Sequence, residues 1–172
     1  MKTYLLLLIL CTFFIISDCT RDDDDLPVPE STVCNTINQF VSQVLPDNAN
    51  KFYNKASFNI LTSIDSLYLI GQTSIFSQRD IEYISRQNKT SEKFDLSNCL
   101  QNKEIVTSET ILSNPSLGHF SISAPLFSID KETIIIRISY FCGGLCGHGG
   151  TYVYKKEKKT WRLKLTLEEW IS

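Results

Sequence analysis

Five of the chain's seven glycines, two of its six cysteines and one of its two histidines fall in the nine residues Cys142-Gly143-Gly144-Leu145-Cys146-Gly147-His148-Gly149-Gly150. Glycine reaches backbone conformations closed to other residues. Two cysteines four apart can be joined only if the chain turns until their Cα atoms lie about 6 Å apart. The segment therefore specifies a sharply turned connection with a covalent or coordinative constraint. Gly143 and Gly144 permit the turn, and several positions are expected to need φ > 0. This segment fixes architecture more firmly than chemistry.

The N-terminus bears on compartment. Lys2 is the only charge before an apolar run from Tyr4 to Ile16. Thirteen residues are too few to span a bilayer, which takes roughly 20. They suit the apolar region of a secretory signal, assigned to residues 1–19. Ser17-Asp18-Cys19 follows, then Thr20-Arg21 and four aspartates, Asp22 to Asp25. A cysteine directly after the apolar run, followed by an acidic stretch, resembles a bacterial lipobox, with Cys19 as the lipidated N-terminus. Asp18 departs from that pattern, which normally has Gly, Ala or Ser there. The alternative is ordinary signal cleavage, with Ser17 and Cys19 as the small-x-small pair and Thr20 as the new N-terminus. Both readings put the folded part outside the cytoplasm, in the cell envelope on a lipid anchor to the outer membrane, or secreted. Residues 20–31 read as an acidic, disordered tether, extended by Pro27 and Pro29.

From Ser31 onward there are fifteen Lys and Arg against thirteen Asp and Glu. A nearly neutral body argues against a nucleic-acid partner. Residues 32–172, about 140 in all, suffice for one domain with its own core. That domain keeps four cysteines, Cys34, Cys99, Cys142 and Cys146. An even number in an oxidising compartment favours disulfides. Three connectivities exist. Cys142–Cys146 with Cys34–Cys99 is preferred, the long loop stabilising by about 4 kcal/mol in the chain-entropy model, and the crossed pairings stay open.

Val33, Ile37, Phe40, Val41 and Val44 recur at helical spacing. Ser31 or Thr32 is the expected cap and Pro46 the stop. Residues 46–57 read as loop. Residues 58–76 are ambiguous: Ile60, Leu61, Ile64, Leu67 and Ile70 fit a helical stripe, yet Leu67 to Ile70 fits a buried strand as well. Ser77-Gln78-Arg79-Asp80 predicts a capped helix start, with Ile81 and Ile84 inward and an end near Gln87. Residues 88–98 read as loop and Ile105-Val106 as a short strand. His119 to Ser128 reads as an edge strand broken at Ala124-Pro125. Thr133 to Phe141 and Thr151 to Lys156 read as strands. Thr160 to Leu167 alternates, with Trp161, Leu163, Leu165 and Leu167 inward and Arg162, Lys164 and Thr166 in water. The expectation is an α+β domain in which N-terminal helices pack on a C-terminal antiparallel meander of about four strands, one face wet.

Phe120-Ser121, Pro125-Leu126-Phe127, Asp130, the run Tyr140 to Gly149, Tyr152, Lys155-Lys156, Trp161 and Trp170-Ile171-Ser172 together resemble an uncharacterised family of small secreted bacterial proteins, many with lipoprotein signals. Ser77 to Glu82 is similar to an upstream element of the same proteins. The resemblance spans roughly residues 77–172 and is most specific at Cys142 to Gly147. It implies an extracytoplasmic location and a repeated architecture around that segment, and no activity or catalytic residue.

Several chemistries compete for the glycine segment. Cys142, Cys146 and His148 have donor types that suit zinc, but there is only one such cluster and the compartment oxidises thiols. Thiol exchange favours Cys-x-x-Cys at a helix N-terminus, whereas here the spacing is one longer and between strands. Phosphate loops feed a helix, whereas this one feeds a strand. A structural disulfide is therefore preferred, with no metal and no cofactor assigned. His119 reads as a packing or surface residue. Lys155 to Lys159 reads as a solvated hairpin turn. Tyr152 and Tyr154 share a strand face, as recognition aromatics or as core. The preferred function is a non-catalytic binding or structural domain, held on the membrane through Cys19, whose candidate ligand site comprises Cys142, Gly143, Gly144, Cys146, His148 and Tyr152. The alternatives are a metal- or thiol-dependent enzyme centred on Cys142, Cys146 and His148, and an immunity or inhibitor protein acting on a protein partner.

Overall fold

The computed structural model describes residues 28–90, 93–143 and 146–172. The signal segment, Cys19 and most of the tether lie outside these residues, as does Gly144. Helix α1 covers Glu30–Val44. Strands β1 (Lys51–Tyr53) and β2 (Lys55–Ser57) come next, then helices α2 (Ser63–Ile70) and α3 (Gln78–Asn88), and strand β3 (Lys93–Asp95). After β4 (Glu104–Val106) and α4 (Ser108–Ser113) come β5 (His119–Ile122), β6 (Leu126–Phe127), β7 (Thr133–Gly143), β8 (Cys146–Glu157) and β9 (Thr160–Ile171). None of the described helices is long and apolar enough to cross a membrane.

The class is α+β, as expected, and the C-terminal meander β7–β8–β9 is antiparallel. The sheet is larger than about four strands. Its order is β4–β1–β5–β7–β8–β9, with β6 as a seventh strand paired to β7, while β2 and β3 form a separate antiparallel pair. The segments 46–57 and 88–98, expected as loop, supply β1, β2 and β3. These strands are only three residues long, too short to show a periodic pattern, and β1 joins β4 and β5 in parallel. The break at Ala124-Pro125 is present. However, β5 is interior, between β1 and β7, because the N-terminal half supplies it with a neighbour.

Both faces of the sheet are covered over much of their length, against the expectation of one wet face. On the first face Val33, Ile37 and Phe40 of α1 pack on Phe52, Ile134, Ile136, Tyr154 and Trp161. On the second, Leu69 of α2 and Ile84 of α3, with Ile60, Leu61 and Phe76, pack on Leu126, Ile135 and Val153. Alternating residues of β7 thus serve two cores, and Ile134, Ile135 and Ile136 are all inaccessible to solvent. The alternation in β9 is interrupted because its register against β8 slips twice, between Thr151 and Tyr152 and between Val153 and Tyr154. Each extra residue turns the remainder of the strand to the other face. Trp161 therefore joins the first core, Leu165 and Leu167 pack against the second, and Leu163 is exposed.

The helix termini reflect local chemistry. Ser77 and Asp80 form a reciprocal capping box at α3, as do Thr62 and Asp65 at α2. Helix α1 instead starts after Pro29, without a side-chain cap. Pro29 and the buried Val28 draw the packed domain back into residues assigned to the tether. Helix α3 is clamped to the sheet by polar groups. The amide of Gln87 donates to Phe127 O at 2.8 Å and accepts from Phe127 N at 2.9 Å. Asp80 Oδ1 accepts from Ile129 N at 2.9 Å. Partial burial pushes the Asp80 carboxyl up. The Ser77 hydroxyl, the N–H groups of Ile129 and Ser77, and nearby Arg79 outweigh it and hold the group below its ordinary value.

Two disulfides are present, with Cα–Cα distances of 4.7 Å for Cys34–Cys99 and 5.2 Å for Cys142–Cys146. These are the preferred pairings. The first ties α1 to the turn after β3, and the second closes the β7–β8 hairpin.

Candidate functional site

Helix α1 reaches across the first face of the sheet and ends beside β9. There the Gln43 amide donates to Lys159 O and accepts from Trp161 N. The chain re-enters the sheet at Lys51 in β1, on the far side of β5, β7 and β8. Residues 44–50 must therefore arch over those three strands. The arch is held by Ala49, which is buried, and by Lys103, whose ammonium donates to Ala49 O at 2.7 Å.

Between arch and sheet is an open cleft of about 560 Å³. Its floor carries Phe120 from β5, Ile138 and Tyr140 from β7, and Tyr152 and Tyr154 from β8. These residues share a face because they sit at even spacing in strands whose register pairs Phe120 with Tyr140, Tyr140 with His148, and Ile136 with Tyr152. The rings form a cross-strand row. Centroids are 5.6 Å apart for Phe52–Phe120, 4.8 Å for Phe120–Tyr140 and 5.7 Å for Tyr140–His148. Tyr154 closes the buried end by meeting Phe40 edge to face at 4.9 Å. The arch contributes Leu45, Asn48 and Asn50.

Glycine serves this row chiefly by leaving room. Among the described residues only Gly143 has a positive φ among the glycines, at 92°, and a Cβ there would lie 2.6 Å from Ser116 Cα. The expectation that several positions need positive φ is corrected on this point. Gly147, Gly149 and Gly150 lie within β8. A Cβ on Gly150 would sit 2.6 Å from the Tyr152 hydroxyl, and one on Gly118 would sit 2.6 Å from the Tyr140 hydroxyl. Tyr140 and Tyr152 each need a glycine beneath the ring end.

The electrostatics are mild. Burial raises the Tyr152 pKa, helped by the negative charge of Glu169 and by a hydrogen bond to it. Burial, with Tyr152 beside it, raises that of Tyr154. Both phenols therefore remain protonated donors throughout the neutral range. Lys51, at the rim, is paired with Glu104 at 3.4 Å.

The candidate ligand residues separate into two groups. His148 and Tyr152 line the cleft. Cys142, Gly143 and Cys146 lie at the hairpin end, where they fix the β7–β8 pairing. With both sulfurs in one bond, Cys142 and Cys146 offer no thiolate pair to a metal or a substrate. His119 is buried on the opposite face, its Nδ1 2.9 Å from Leu117 O and its ring stacked on Phe141 at 5.4 Å. Lys158 and Lys159 form the β8–β9 turn, both at positive φ. Phe120, Tyr140, Gly118 and the Asn48–Asn50 arch were missed as site residues. Even spacing of aromatics in 120, 138–140 and 148–154 was the available signal, but it acquires meaning only once the strand register is known. No family model matches the chain, and no curated protein or solved structure matches it either.

Proposed function

We propose that this chain is a non-catalytic, extracytoplasmic binding domain, carried on the membrane by a lipid on Cys19, and that its ligand occupies the aromatic cleft under residues 44–50. The observation that carries the reading is the cleft itself. Three half-buried rings, Phe120, Tyr140 and Tyr152, pack on their neighbours in the sheet and also line an open space. Such concave, largely apolar sites with a few placed polar groups are where proteins hold small ligands. The two disulfides are compatible with a compartment outside the cytoplasm.

The test is a chemically mixed fragment screen followed by amide chemical-shift mapping. Hits should concentrate on Gly118, Gly149 and Tyr152. Hits confined to other surfaces would sink the reading. Anchoring is checked separately: palmitate label should be incorporated and should vanish in Cys19→Ala.

A second reading, an immunity or inhibitor protein with a protein partner, draws on a different feature. Helix α2 turns Ile64, Leu67, Tyr68 and Ile70 to solvent, the first two at 78% and 70% exposure. Exposed apolar side chains grouped on one helix are the usual mark of a contact surface. Ile64→Lys/Leu67→Lys should abolish capture of such a partner while leaving the cleft amides unshifted.

A further inference from the structure

We infer that the cleft is built for an uncharged oligosaccharide, an inference that rests on the cleft being the ligand seat. Four observations narrow the class.

The first concerns the backbone. The floor strands β5, β7 and β8 each have a hydrogen-bonded neighbour on both sides. No ladder edge is free there, so a peptide cannot bind by adding a strand. Recognition must come through side chains.

The second concerns charge. The rim cation Lys51 already faces Glu104 at 3.4 Å, and the Glu169 carboxylate accepts from Tyr152. Lys51 is thus paired and Glu169 keeps its negative charge, whereas a phosphate or a carboxylate ligand calls for unpaired cations or bidentate donors.

The third concerns shape and surface. The floor is a row of rings with neighbouring centroids 4.8–5.7 Å apart, tilted to one another by 47–48°, and the space above it is open. An acyl chain is better served by an enclosed aliphatic tunnel. A sugar ring presents a flat C–H face that lies against an aromatic ring, and successive sugars can track successive rings.

The fourth concerns the polar groups. The arch brings Asn48 and Asn50 to the lining, and the strands bring His148 and Tyr140. Amides both donate and accept, as the hydroxyls of a sugar edge require. Apolar floor and amide wall therefore match the two aspects of one ligand.

The experiment uses the folded domain with both disulfides intact. Neutral trisaccharides of gluco, galacto, manno and N-acetylglucosamine type are titrated against it, with decanoate and a neutral tripeptide alongside. Readouts are saturation transfer to the ligand and shifts of the Gly118, Gly149 and Tyr152 amides. At least one saccharide should shift these amides saturably. Tyr140→Ala and Tyr152→Ala should each weaken it tenfold or more, and Tyr140→Phe, which keeps the ring, should stay within about threefold. The Phe variant guards against loss of binding through misfolding. If decanoate or the tripeptide shifts these amides and no saccharide does, the saccharide class falls while the cleft stands. If no probe shifts them, both fall. Saccharide binding of equal strength in a folded Tyr140→Ala would place the sugar elsewhere and overturn the assignment.

Discussion

The first face of the sheet carries two kinds of aromatic environment. Near the β8–β9 turn, α1 lies directly on the strands, and Phe40, Tyr154 and Trp161 are packed away from water. Toward the β7–β8 hairpin the helix has ended, only residues 44–50 pass above, and Phe120, Tyr140 and Tyr152 remain half open. The same strands and the same residue types therefore yield a core at one end and a cleft at the other. The difference lies in what covers them: a helix fills space with side chains, whereas an arch leaves it. Glycine marks the second environment, because Gly118 and Gly150 make room for tyrosine ring ends.

Substitutions at the two ends should behave differently. The largest effect is expected at the covered end. Phe40→Ala removes a fully buried ring and should cost about 3–5 kcal/mol, read from denaturant midpoints. Loss of the long disulfide comes next. Cys34→Ala/Cys99→Ala opens a closure of 65 residues and should cost about 4 kcal/mol in the chain-entropy model. Cys142→Ala/Cys146→Ala opens a separation of only four and should cost about 2 kcal/mol or less. Equal losses for the two pairs would show that the hairpin clasp stabilises the whole domain and not its own end.

A smaller effect attaches to Asp80, which joins α3 to the turn after β6. Asp80→Ala removes the capping box and the Ile129 N–H partner, and should cost about 1–2 kcal/mol near neutral pH. The Asp80 pKa is depressed in the folded state below its ordinary 3.8. The charged form's contribution is therefore complete above the unfolded pKa and disappears as pH falls through the folded one. The gap between the native chain and Asp80→Ala should narrow as the solution is taken below that range, when stability is tracked by thermal melts. A gap that widened in acid would reverse the assigned sign.

Much of this fold was legible because β7, β8 and β9 are long, and because the Ser77–Asp80 box is a local signal that needs no tertiary partner. The two cysteine pairings present are the preferred ones, although the sequence left the crossed pairings open. The rest was hidden for physical reasons. Phe52 sits in a three-residue strand held between β4 and β5, so propensity alone reads it as loop, whereas Ile105-Val106 was legible as a short strand. Leu163, Leu165 and Leu167 looked equivalent, and the two slips of register in β9 divided them. Ile64, Leu67 and Ile70 looked like an inward stripe, yet they point outward while Leu69 faces the core. At the site, His148 was found because it belongs to the glycine-rich segment and Tyr152 because it follows that segment by two residues. Phe120 and Tyr140 were not, because they join it only through cross-strand register.

The central claim is that the rings beneath residues 44–50 are kept for binding, whereas those beneath α1 are kept for stability. It is tested most directly by measuring unfolding free energy and ligand affinity side by side in Tyr140→Ala/Tyr152→Ala. The expected result is a stability loss of less than about 2 kcal/mol, smaller than that of a buried ring, together with loss of saccharide binding. A loss of stability as large as that of Phe40→Ala, with binding undiminished in the fraction that remains folded, would contradict it.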